Sequence, residues 1–217
     1  MQRGQSGKAR RARQVGRSTC LGCFAGRRVG RQRKGIGVAQ YLTVHGKQEI
    51  DVHLEAIYSS AERTYRWIRQ YSGSPMELFR AFKFDPVGVH PFAGHALNVI
   101  EQVNQTATYL VALEAARLLF DLHPEEPGYV IAPGAYMSHP LDIMSITEGQ
   151  VGAETFAAVD PRNNNKLKKD LMKLATRAER NRYVFFSSPL HPETKRRIEL
   201  EVNGVQVWSV ATSLSVR

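Results

Sequence analysis

Two apolar runs, residues 141–146 and 152–159, each carry one carboxylate inside an otherwise strand-forming pattern, and nothing else in the chain constrains its folding as much. Side chains alternate along a strand, so Asp142 shares a face with Met144 and Ile146, and Glu154 shares one with Phe156 and Ala158. The polar turn over residues 147–150 predicts an antiparallel hairpin, which makes Asp142 and Glu154 neighbours across two strands. Two acids so placed repel each other and lose hydration unless something pairs with them. A divalent cation resolves that conflict. Hard oxygen ligands from two acids, completed by waters, describe a magnesium site able to act on phosphodiesters. The plain alternative is an edge Glu154 facing solvent and an Asp142 that caps a turn.

The flanking pattern places this hairpin in a larger α/β frame. A helical period over residues 48–71 uses Ile50, Leu54, Ile57, Tyr58, Tyr65 and Ile68, and the run from Tyr71 to Pro75 stops it. A short helix is expected over 76–82. The strongest helical pattern covers 97–122, and its second half is so apolar that it is expected to lie under a sheet. His123-Pro124 ends it. Strands follow at 129–132, 141–146 and 152–159. A helix capped by residues 160–166 then runs to about 180, with Leu167, Leu171 and Leu174 inward and Lys166, Lys169 and Lys173 outward. A buried strand occupies 182–187. Beyond it, Pro192 opens a helix that Asn203-Gly204 caps, before a strand at 205–211; a hairpin turning at Asn203-Gly204 is the competing reading. The predicted class is α/β, a mixed central sheet flanked by helices, with 41–94 a helical N-terminal extension and 95–217 the core.

Charge is unevenly placed. Residues 1–37 hold 11 of the 30 Lys and Arg and no acid, which leaves 19 bases against 20 acids in the rest. Residues 1–40 therefore read as a disordered basic tail, suited to a polyanion, to a transit peptide, or to sequence upstream of the functional start. Cys20-x-x-Cys23 has no second pair at zinc-ligand spacing, and two cysteines fit a reducing compartment. No apolar run approaches the ~20 residues of a membrane span, and a cytoplasmic location is expected.

The order helix–strand–strand–strand–helix–strand carries "HPLD" ending at Asp142, "AETF" with Glu154, and then "NNNKLKKDLMKL". Over residues 97–211 it resembles the restriction-endonuclease-like (PD-(D/E)xK) nuclease superfamily. The resemblance implies a metal-dependent DNA phosphodiesterase in which Asp142 and Glu154 hold Mg²⁺ or Mn²⁺, with Glu101 on the preceding helix as a third ligand. Where that superfamily has acid-x-lysine, this chain has Glu154-Thr155-Phe156. Phe156 can neither stabilise charge on a phosphate nor orient a water, so Lys166 or Lys169 on the following helix is the expected source of positive charge. The alternative is a non-catalytic member of the same fold that binds nucleic acid or protein. DNA is the expected partner, a homodimer the permitted assembly. His90 and His95 lie in a Pro/Gly loop, where histidines are usually structural. No Gly-rich phosphate loop, Gly-x-Ser-x-Gly elbow or His-Glu-x-x-His helix is present.

Overall fold

The computed structural model describes residues 41–133 and 139–215, so expectations for the basic tail and its two cysteines lie outside the described residues. A seven-stranded mixed sheet runs through the molecule. Its strands are β1 (Leu42–Val44), β4 (Tyr129–Ile131), β5 (Ile143–Ser145), β6 (Val151–Ala157), β7 (Asn181–Ser187), β9 (Gln206–Ser209) and β8 (Lys195–Arg196), in that spatial order. From β1 to β6 every pairing is antiparallel, β6, β7 and β9 are parallel, and β8 returns antiparallel at the far edge. A separate two-stranded ladder joins β2 (Gly88–Val89) to β3 (Ala96–Leu97).

The helices α1 (Lys47–Gln70) and α3 (Val99–Leu122) cover one face, on Ile143, Ala153, Tyr183 and Phe185 of the sheet. The second half of α3 is buried almost all round, as its composition requires. Tyr109, Leu110, Leu113 and Leu119 are among its largest enclosed side chains. In α1 the enclosed stripe is Ile50, Leu54 and Ile57, then Ser60 and Thr64. Both hydroxyls meet Gln102 of α3, and Ser60 also donates to the Val89 carbonyl, so the polar half of the stripe is satisfied by bonding. Tyr58 and Tyr65, expected on that stripe, are exposed. The short α2 (Pro75–Phe84) begins at a capping box between Ser74 and Glu77.

On the opposite face lies α4 (Lys166–Ala175), whose Leu167, Leu171 and Leu174 pack on Phe156, Val184, Phe186 and Val207. A 3-10 turn (Asn163–Asn165) leads into it, with Asn165 in the left-handed conformation at φ 56°. Its C-terminus comes at Ala175, not near residue 180. Arg182 Nη1 donates to the Leu174 and Ala175 carbonyls there, using a β7 side chain to satisfy helix-end acceptors.

Two expectations change. Residues 41–94 read as a helical extension, yet they also supply β1 to the sheet, and the described residues belong to one compact unit. The helix expected after Pro192 does not form. β8 and β9 pair across a short 3-10 turn (Ile198–Leu200), a Val202–Val205 bridge and the turn at Asn203-Gly204, both at positive φ. A helix there would have had no apolar stripe to bury, since Ile198 and Val202 are exposed.

Leu113, fully enclosed between sheet and α1, sets a test of this packing. Leu113→Ala is expected to lower unfolding free energy by about 2–5 kcal/mol in urea denaturation. A loss below about 0.5 kcal/mol would mean that α3 does not sit on the sheet as described.

Candidate functional site

The β5–β6 register pairs Ile143 with Ala153 and Met144 with Gly152, and one further step sets Asp142 opposite Glu154. The hairpin thus juxtaposes the two acids on the face that α4 covers. Asp142 lies just before β5, where its carboxylate replaces a ladder partner: Oδ2 accepts from the Thr155 backbone N–H at 2.8 Å and from Thr155 Oγ1 at 3.1 Å. Gly152, opposite Met144, leaves room for the side chains beside it: a Cβ there would stand 2.5 Å from Leu141 Cδ1 and 3.0 Å from Glu179 Cγ, so a larger residue would require those side chains to shift.

Glu154 is 3 % exposed and answered from α4. Lys173 Nζ stands 2.6 Å from its Oε1, and Lys166 Nζ is 3.9 Å from its Oε2. Lys166 also donates to Asp170 Oδ1 at 2.7 Å. Positions 166, 170 and 173 follow i, i+4, i+7 spacing and form one stripe along the edge of α4. Three acids and two ammonium groups therefore meet over β6. Burial first, then the Asp142 charge, push the Glu154 carboxyl up to about 7 against the pull of Lys173. Burial also raises Asp170, with Lys166 opposing and Asp142 adding to the rise. For Lys166 burial works downward, but its bond to Asp170 and the charges of Asp170, Glu154 and Asp142 outweigh it and raise its pKa.

The expected site residues fare differently. Phe156 is buried and stacks on Phe186 at 5.9 Å, so the position where the superfamily would have lysine is part of the apolar floor under α4. Lys166 reaches the acids. Lys169 is exposed, and among the described residues the ion pairs to Glu154 come from Lys166 and Lys173. Glu101 is not brought to the pair. It closes the capping box of α3 with Asn98, on a helix packed against the other face of the sheet. Lys173 and Asp170 are the residues that sequence reasoning missed. Asp170 had left a trace, because Leu167, Asp170, Leu171 and Leu174 keep helical i, i+3, i+4, i+7 spacing and put one acid in an apolar stripe.

Elsewhere, His90 Nδ1 accepts from the backbone N–H groups of Phe92 and Ala93, and burial together with His95 lowers its pKa. That is a neutral imidazole closing the loop between β2 and β3. Among the described residues no three His, Cys, Asp or Glu side chains stand together as a ready metal-ligand set, and no helix is long and apolar enough to cross a membrane.

Comparison with known proteins adds no identity: no family model matches the chain, and no curated protein or solved structure matches it.

Because the folded-state pKa of Glu154 lies above its unfolded value, its contribution to stability is complete at low pH and is lost as pH rises through about 7. With EDTA present, Glu154→Gln is expected to gain on the parent by on the order of 2 kcal/mol between about pH 5 and about pH 8. Urea melts at both pH values measure this. An unchanged difference between the two proteins would place the titration of Glu154 near the ordinary carboxylate range.

Proposed function

We propose that this chain is a metal-dependent phosphodiesterase domain of the restriction-endonuclease-like kind, acting on DNA. The observation that carries the reading is the meeting of the strand-opposed pair Asp142 and Glu154 with Lys173 Nζ, 2.6 Å from Glu154 Oε1. Acid, acid and lysine are the groups such chemistry needs, and a lysine from α4 takes up the role that Phe156 cannot. The element order α3, β4, β5, β6, α4, β7, with an antiparallel meander followed by a parallel strand, supports the same reading.

The donor set fits a hard divalent cation. Magnesium is commonly bound through one or two carboxylates with phosphate oxygens and water completing its shell, so Asp142 and Glu154 suffice without an all-protein cage. When bound, such an ion supplies a coordinated water of lowered pKa and draws charge from the phosphoryl oxygens. The rest falls to the protein. Asp142 and Glu154 would hold the ion, with Thr155 fixing the Asp142 carboxylate. Lys173, half exposed, presents its ammonium to the phosphate, where charge grows as the reaction proceeds. α4 carries Lys166, Lys168, Lys169 and Lys173 against the single acid Asp170, which gives a nearly neutral body a local surface for a polyanion.

One observation favours a second reading, a binding module of the same fold. Both lysines already bond acids, and Asp142 is bonded to Thr155, so the cluster is close to self-satisfied without a ligand.

Thermal unfolding with millimolar Mg²⁺ or Mn²⁺ and nicking of supercoiled plasmid separate these readings. The parent is expected to gain melting temperature with metal, by mass action, and to nick the plasmid; Asp142→Ala/Glu154→Ala should do neither. Lys173→Met should keep the metal shift and lose about 100-fold or more in nicking rate. A metal shift with no nicking by the parent at any metal supports the binding module. Absence of both effects overturns the phosphodiesterase proposal.

A further inference from the structure

Asp170 is 4 % exposed and has an oxygen, Oδ2, that meets no hydrogen-bond donor. Its other oxygen is bonded to Lys166 Nζ at 2.7 Å. That same ammonium lies 3.9 Å from Glu154 Oε2, so the two carboxylates already share one positive charge. An unpartnered carboxylate oxygen in a buried site is costly, and a charge this enclosed is retained at a loss unless a ligand takes it up.

We propose that Asp170 is a third ligand of the cation site, and that Lys166 holds the place of the cation between Asp170 and Glu154 until the ion enters. The assignment rests on the phosphodiesterase reading above and replaces Glu101, whose carboxylate is engaged at the start of α3. Three features make the exchange physically reasonable. The Lys166 side chain is 39 % exposed, so its ammonium can move into solvent without leaving the helix. A divalent cation carries twice its charge and binds oxygens at roughly 2.1–2.6 Å, which draws together carboxylates that an ammonium holds apart. Asp170 also lies one helical turn from both lysines of the site, so loading the ion and freeing Lys166 occur on the same turn of α4.

Binding of Mn²⁺ alone to the 217-residue chain, followed by electron paramagnetic resonance of the free ion, tests the assignment without reference to cleavage. Asp170→Asn is expected to weaken Mn²⁺ affinity by about tenfold or more while keeping a cooperative melt. Lys166→Met, which removes the competing ammonium, is expected to tighten it several-fold. Unchanged affinity in Asp170→Asn overturns the role of Asp170 and leaves the proposed function standing. No binding by the parent overturns both. If Asp170→Asn fails to fold, Lys166→Met decides: tighter binding supports the assignment, and unchanged or weaker binding overturns it.

Discussion

Asp142 and Glu154 face each other across β5 and β6, under a helix and away from bulk water. Each isolated charge there would cost several kcal/mol of lost hydration, and their repulsion adds to that cost. The two solve the problem differently. Asp142 accepts a strand backbone N–H and a hydroxyl, which replace part of its lost hydration and fasten the start of β5 to β6. Among the described residues Glu154 is answered instead by ammonium groups brought in by α4. The position of α4 is therefore an electrostatic requirement as well as a packing one.

The same helix meets both demands because its sequence is divided by angle. Leu167, Leu171 and Leu174 seat it on Phe156, Val184 and Phe186, while Lys166, Asp170 and Lys173 run along the border of that apolar stripe. Lysine suits the border. Its stem can lie on apolar surface while its ammonium reaches an acid at the edge of solvent. A lysine at position 156 would instead project from the middle of the strand into the apolar contact between β6 and α4, where Phe156 stacks on Phe186. Filling that position with an aromatic strengthens the packing that carries α4, and the positive charge moves to the helix.

Much of this was legible in the sequence, and the gaps have physical causes. Strand parity put Asp142 and Glu154 on one face, since a period of two fixes faces once the hairpin is known. The length and apolarity of α3 announced its place under the sheet. β1 escaped notice because three residues, Leu42 to Val44, are too short to show a period, and only pairing with β4 makes them a strand. The end of the chain went wrong because Pro192 and Asn203-Gly204 serve helix and hairpin equally well; the antiparallel pairing of β8 with β9, closed by the Val202–Val205 bridge, decided for the hairpin. Glu101 looked available because a carboxylate in a first helical turn can bind a ligand or cap its own helix, and the latter needs no partner. Lys173 looked outward because amphipathic patterning separates two faces but says nothing of the boundary between them.

At that boundary packing and electrostatics pull against each other. A Glu154 carboxyl with a pKa of about 7 is held ionised only partly, at the pH where the rest of the molecule carries its ordinary charges. Nothing in the apolar core requires an acid at this position, since β6 pairs with β7 through backbone bonds whatever the side chain. A neutral residue would pack there without the repulsion from Asp142, and the strand would lose nothing of its ladder. Lys173 reduces the conflict without removing it, because a half-exposed ammonium is screened by water on one side. Lys166 is divided between two acids and leaves Asp170 Oδ2 unanswered. A cluster shaped only by folding would be expected to end with its charges matched and its oxygens bonded, or to be replaced by leucine. One that retains three acids against two lysines is what the proposed cation site would require.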